Sequence, residues 1–173
     1  MVALDLALVV IDRRLQATGG PGIIAFEFVG SEGNAARIMA EWGAHGRDLA
    51  ALSLWLDFAF MASYGAFFAL AGFATRDYAR AQGLGALSRA GAVAPYLAIA
   101  AALFDMCENI SLLLVLGGRG GGVTPVLATV FASFKFALIA LAIAYVAWGL
   151  GARLSHRGRR SGEIRRADRR PTA

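Results

Sequence analysis

Two carboxylates lie near the centre of a long apolar segment, LAIAAALFDMCENISLLLVLGG, at residues 97–118. Asp105 and Glu108 are one helical turn apart, so they share a face if the segment is a helix, and Asn109 joins them on that face. Carboxyl groups held in unlike environments can divide the roles of general acid and general base. The same groups can also hold a proton, a cation or an amine.

Two further apolar segments each contain a single charged residue. Asp57 is the only charge in residues 49–74, and Lys135 is the only charge in residues 123–152. Lys135 is also the only lysine of the chain. On a helix, Tyr64 would share a face with Asp57, which adds a phenol to the polar groups of this segment. Ionisable residues inside apolar segments of this kind mark binding or functional sites by default.

The composition favours a membrane protein over a soluble one. The chain has 173 residues, of which 58% are hydrophobic and 17% are charged, whereas soluble domains have about 25% charged residues. Each long apolar segment exceeds the roughly 20 residues that span a hydrocarbon core. Backbone groups in lipid must be satisfied within their own segment, which predicts helices.

We therefore predict an all-α fold, a four-helix transmembrane bundle in one domain, residues 1–152. The first apolar segment has only about eleven residues, half a bilayer at 1.5 Å per residue. Either this helix begins upstream of the present first residue, or it is short and tilted into the bundle. The predicted helices cover residues 1–18, 49–74, 91–116 and 124–152.

A short amphipathic helix is predicted between the first two membrane helices, at residues 32–43. Ser31 is a suitable N-cap, and the apolar residues that follow have helical spacing. Trp42 suits the headgroup zone, which favours a helix along the outer surface. The alternative is a helix that covers the mouth of the bundle without membrane contact. The apolar face consists of Ala35, Ile38, Met39 and Trp42.

The basic tail, residues 153–173, sets the predicted orientation. It contains eight arginines, and excess positive charge stays cytoplasmic. Both termini are then cytoplasmic, in a bacterial inner membrane. We expect the tail to be disordered and to attract anionic lipid headgroups. No aromatic residues are interleaved with the arginines, so nucleic acid is not an expected partner. The sequence indicates no oligomeric state.

Helices of alternating direction bring the internal charges to nearly one depth. Counted from the outer ends of their helices, Asp57 and Glu108 lie about 12 Å deep, and Asp105 and Lys135 about 16 Å deep. A lone charge at the bilayer centre costs at least about 2.5–3.5 kcal/mol. We therefore expect these groups to meet inside the bundle. Three carboxylates and one ammonium are unbalanced, so we also expect a proton or a cation on one of the acids.

Four strings resemble a group of small bacterial four-helix membrane proteins: LWLDFAFMASYG, LFDMCENISLLL, SFKFALIAL and GGPGIIAFEFVGS. Members share an LDF…Y helix, a D-x-x-E-N helix and a lysine in the last helix. The resemblance covers residues 17–147. It implies the same architecture with a longer first helix, and it supplies no reaction. The residues whose importance it implies are Asp57, Asp105, Glu108, Asn109 and Lys135.

The sequence leaves three interpretations of the polar residues open. They form a structural cluster that holds the bundle in register, or a binding or transport site for a proton, a cation, a lipid or another small amphiphile. The third interpretation is a membrane-embedded acid–base enzyme that acts on a lipid, for which no catalytic residue can be assigned. The predicted buried cluster consists of Asp57, Tyr64, Asp105, Glu108, Asn109 and Lys135.

Other candidate sites are weaker. Glu27 either projects into the outer mouth of the bundle or is an ordinary interfacial glutamate. A divalent metal on the carboxylates is not expected, because Lys135 competes for the same oxygens. The sequence indicates no cofactor.

Overall fold

A computed structural model of the protein describes the backbone of residues 1–167 and the side chains of residues 1–156. Residues 1–167 form helices connected by short turns and contain no strand, so the all-α prediction is confirmed. The helices are α1 (Val2–Gln16), α2 (Ile23–Glu27), α3 (Glu32–Ala81), α4 (Gly85–Ala90), α5 (Ala94–Leu116) and α6 (Thr124–Ala167).

Within the part of the chain that the structure describes, three helical stretches are long and apolar enough to cross a membrane. Long apolar segments with few charges favour membrane-spanning helices of this length. The length and composition of these helices suggest a membrane protein. The stretches are Glu32–Ala81, Gly85–Leu116 and Thr124–His156.

The predicted surface helix and second membrane helix are joined in α3. Gly43 lies between them with φ 63° and ψ −165°, a conformation that glycine adopts at little cost because it has no Cβ. The non-helical backbone at Gly43 bends the chain, and the helix resumes directly after it. The N-cap is as predicted, since the Ser31 hydroxyl oxygen accepts a hydrogen bond from the Asn34 N–H at 3.2 Å.

Of the two alternatives for the short amphipathic helix, the burial of Trp42 favours the one in which the helix covers the bundle. Only 2% of this residue is exposed, because its ring packs against Phe26 with the centroids 5.0 Å apart. Its indole N–H donates to the Pro21 carbonyl oxygen at 2.7 Å, which satisfies the polar end of the side chain without a headgroup. The apolar face of the first part of α3 therefore packs against the protein.

Several helix ends differ from the prediction. The first helix is Val2–Gln16, within the predicted residues 1–18, and it packs against α3. A short helix, α4, lies in a segment where no helix was predicted, and α5 begins at Ala94, whereas the predicted helix began at residue 91. The last helix continues to Ala167, whereas disorder was predicted from residue 153. The remainder of the predicted tail, residues 168–173, lies outside the described residues.

Apolar clusters fill both ends of the interior, and two smaller ones, at Met61 and at Ala69, lie between the ends beside the polar groups. Helix α5 packs against both α3 and α6. At one end, α1, α2 and the first part of α3 bury Leu15, Phe26, Trp42, Leu54 and Leu112. The opposite end buries Ala79, Leu87, Ala94 and Tyr145. The internal charges lie between these two ends, on the facing sides of α3, α5 and α6.

Candidate functional site

Lys135 is the centre of the polar cluster. Its Nζ lies 2.8 Å from Glu108 Oε2 and 3.3 Å from both Asp105 Oδ1 and Glu27 Oε2. Only 5% of Lys135 is exposed. One ammonium therefore joins three carboxylates from two separate helices, α2 and α5, and buried charges of this kind are tolerated when they are paired.

Two hydrogen bonds that do not involve Lys135 complete the cluster. The Tyr64 hydroxyl donates to Asp105 Oδ2 at 2.8 Å, and Asn109 Nδ2 donates to Asp57 Oδ2 at 2.8 Å. Lys135 and Tyr64 thus bind different oxygens of Asp105. Asp57 is half-buried and is held by the amide of Asn109. The structure places all six predicted cluster residues in one region between α3, α5 and α6.

Glu27 reaches the cluster because the segment that carries it is held at both ends. Asp12 Oδ1 accepts a hydrogen bond from the Ile23 N–H at 2.7 Å, at the first residue of α2. The Thr129 hydroxyl on α6 accepts from the Gly30 N–H at 2.9 Å and lies 3.3 Å from the Glu27 carbonyl oxygen. Of the two alternatives for Glu27, the structure has the inward-facing one, in which the residue is buried.

Burial raises the pKa of the Glu27 carboxyl above its usual value, and the neighbouring Lys135 ammonium opposes this effect. A carboxylate transferred from water to apolar surroundings is penalised in its charged form. The Asp105 carboxylate adds repulsion. The protonated state of Glu27 is therefore more favourable in the folded protein than in the unfolded chain.

The cluster contains more acids than bases. Four carboxyl groups surround one ammonium, which gives a formal charge of −3 when all are ionised. Glu108 Oε1 is buried and has no hydrogen-bond partner among residues 1–156. Within the same residues, no group of three or more His, Cys, Asp or Glu side chains is arranged to hold a metal ion.

A cavity of about 530 Å³ reaches the cluster. Its polar wall contains Glu27, Asp57, Tyr64, Asp105, Asn109 and Lys135. The rest of the lining is mostly apolar and includes Phe60, Phe68, Phe136 and Ile139. Pockets of about 300–1,000 Å³ with mostly apolar walls and a few convergent polar groups are typical of small-molecule sites. The arrangement can thus fix a polar headgroup and cover an apolar chain.

Some lining residues were not predicted. Asp5 and Ser53 both line the cavity, and Phe68 continues a stripe that begins with Phe60 and Tyr64. The four-residue spacing of these three aromatic residues could have revealed a shared helix face. Asp5 is the only acid in the first apolar segment. A charged residue in such a segment could have indicated that it faces the polar cavity.

No protein-family model, curated protein or solved structure matches this chain. The chemistry of the site therefore has to be inferred from its own residues.

Proposed function

We propose that this chain is a multi-pass protein of the bacterial inner membrane whose four-helix bundle binds a small amphiphile in the cavity beside Lys135. The observation that carries the proposal is the cavity itself. A cluster that served packing alone would be closed by neighbouring side chains. Here a volume of about 530 Å³ adjoins Asp57, Asp105 and Lys135.

The border of the cavity supports access from hydrocarbon. Val2 is 69% exposed and Ile24 is 60% exposed, and both line the cavity. Phe136, another lining residue, is also exposed. In water, apolar side chains at a cavity mouth would be unfavourable, whereas in a bilayer they match the acyl chains. An amphiphile could then enter sideways from the membrane.

The outer surface of the helices supports the membrane assignment. Large apolar residues point away from the protein on each long helix, among them Trp55, Leu70, Leu103, Phe134 and Leu141. The proposed fourth spanning helix is α1, which packs against α3. The arginine-rich C-terminal segment favours cytoplasmic termini and contact with anionic headgroups.

The cluster also contributes to structure. Lys135 connects α6 to α5 through Asp105 and Glu108, and to α2 through Glu27. These ion pairs fix the axial register of each helix relative to its neighbours. A structural role and a binding role are compatible, because only part of the cluster faces the cavity.

A matched pair of substitutions on α6 tests ligand binding. Ile139 is half-buried and lines the cavity, whereas Ile143, one turn further, is exposed and outside the lining. Wild type, Ile139→Trp and Ile143→Trp would be purified in lipid nanodiscs, and the co-purified molecules quantified by mass spectrometry. We expect a molecule enriched over the surrounding lipid in wild type and Ile143→Trp, and depleted in Ile139→Trp.

Two results would refute the proposal. One is that the wild type carries no molecule enriched over bulk lipid. The other is that Ile139→Trp, which fills the cavity with a large ring, carries as much of the enriched molecule as Ile143→Trp. Either result leaves the structural role of the cluster as its function.

A further inference from the structure

We infer that the ligand of the cavity is a single-chain amphiphile with a protonated amine, and that the amine pairs with Asp57. This inference rests on the proposed function and specifies the chemical class of the ligand. Two observations carry it. The first is which N–H and O–H groups bind each of the four carboxyl groups, and the second is which side chains line the cavity next to Asp57.

The donors of Lys135 are directed at carboxylates other than Asp57. The Lys135 ammonium donates hydrogen bonds to Glu27 Oε2 and Asp105 Oδ1, both at 3.3 Å, and it forms an ion pair with Glu108 Oε2 at 2.8 Å. The Tyr64 hydroxyl donates to Asp105 as well. The Lys135 ammonium and the Tyr64 hydroxyl thus bind carboxylates other than Asp57.

Asp57 therefore has a neutral partner and a cavity beside it. Asn109 Nδ2 donates to Asp57 Oδ2 at 2.8 Å, and both residues line the cavity. Asn109 is 1% exposed, and its Oδ1 has no hydrogen-bond partner among residues 1–156. The Asp57 carboxylate has room for more donors than this single amide N–H supplies. An ammonium headgroup supplies three donors together with the compensating positive charge.

Aromatic rings continue from Asp57 along the cavity. Phe60, Tyr64 and Phe68 follow Asp57 on α3, and Phe136 on α6 belongs to the same lining. Ring faces attract cations, and Lys135 Nζ already lies 4.7 Å from the centroid of the Phe136 ring. The same rings bury apolar surface. They suit an ammonium close to Asp57 and an alkyl or arylalkyl chain beyond it.

The charges of the lining disfavour other headgroups. Asp5 lines the cavity in addition to Glu27, Asp57 and Asp105, so an anionic headgroup would meet four acidic side chains and one basic side chain. A neutral alcohol would supply one donor and no charge. A bare metal ion is a poorer candidate than an organic cation, because no three of the His, Cys, Asp and Glu side chains in residues 1–156 are arranged to hold one.

The first experiment compares three probes that differ only in the headgroup. Wild-type protein in phosphatidylcholine nanodiscs would be titrated with dodecylamine, dodecanol and dodecanoate at equal mole fractions of the lipid. Binding would be followed by native mass spectrometry and by the thermal unfolding midpoint. We expect dodecylamine to bind at least about tenfold more tightly than the other two probes. Equal binding of all three would overturn the amine assignment and leave the cavity as a general amphiphile site.

The second experiment removes the proposed counter-charge. Asp57→Asn keeps an oxygen that can accept from Asn109 Nδ2, so the local hydrogen bond is retained. We expect it to weaken dodecylamine binding by about tenfold or more and to leave dodecanol binding unchanged, which also shows that the variant is folded. Asp77→Asn is the control, because Asp77 is exposed and lies on the same helix outside the lining.

The outcomes separate the two proposals. Unchanged dodecylamine binding by Asp57→Asn contradicts the pairing with Asp57 while the cavity still binds amphiphiles. Should no probe bind to the wild type, and should Ile139→Trp behave as the wild type does, the binding function itself fails. If Asp57→Asn does not fold, the headgroup comparison on the wild type still decides the amine assignment.

Discussion

Glu27 and Lys135 are 108 positions apart in the sequence, and Lys135 Nζ donates to Glu27 Oε2 at 3.3 Å. Glu27 belongs to a five-residue helix between α1 and α3, so a connecting segment supplies a charge to the centre of the bundle. The same ammonium contacts Asp105 and Glu108 on α5. This contact ties the connection to the last helix, and it makes Lys135 the residue on which the cluster depends.

We predict that Lys135→Met destabilises the protein by about 3–5 kcal/mol, because it leaves buried carboxylates without a counter-ion. The measurement is the free energy of unfolding in mixed detergent micelles. Arg37→Met is the control, since it removes an exposed ion pair with Glu41 that contributes about 0.2–1 kcal/mol.

The double variant Lys135→Met with Glu108→Gln provides a further check. It should recover part of the lost stability, because the carboxylate closest to the ammonium becomes neutral. Equal effects of Lys135→Met and Arg37→Met would contradict a cluster held by charge pairing.

Glu27→Gln should change the pH dependence of stability. Since the pKa of Glu27 is raised by burial, the folded state binds the proton of this group more tightly than the unfolded state. The wild type should therefore lose stability relative to Glu27→Gln as the pH rises from the usual pKa of a glutamate through the raised value. The measurement is the difference between the two unfolding free energies across that pH range. A difference that changes in the opposite direction would show that Lys135 outweighs burial at this site.

Tyr64→Phe should cost about 1–3 kcal/mol, because it removes the donor to Asp105 Oδ2 in a buried position. Tyr96→Phe is the matched control: Tyr96 is exposed, and its contact with Phe73 uses the ring alone. That change should stay within about 0.5 kcal/mol. Thermal unfolding of the two variants side by side measures the contrast, and equal midpoints would argue against the hydrogen bond.

Gly149→Ala should destabilise the protein, whereas Gly151→Ala should not. A Cβ at Gly149 would overlap the Thr75 methyl group, whereas nothing lies within 4 Å of a Cβ at Gly151. Thr75 is β-branched and buried, so it cannot turn away easily. Overpacking of this kind costs about 1–3 kcal/mol, while alanine in place of an exposed helical glycine gains about 1 kcal/mol. Unfolding free energies of the two variants on this one helix test the close contact of α3 and α6.

The sequence by itself determined the helices and the level of the charges. Hydropathy is a local property, so apolar stretches in residues 49–74 and 124–152 predict helices before any packing is considered. The constant rise of a helix then converts positions into depth, which placed Asp105 and Lys135 at one level. Ser31 was predictable as an N-cap for the same reason, since capping depends on the next three residues.

Only the tertiary structure decided which groups meet. Glu27 faces Lys135 because Asp12 and Thr129, far apart in the chain, hold the segment that carries it. Asp57 is bound by Asn109, although its depth made Lys135 an equally suitable partner. The cavity beside them depends on side chains of five helices. Contacts between distant segments depend on how the helices pack and on the shapes of their side chains. Local hydropathy and periodicity predict neither.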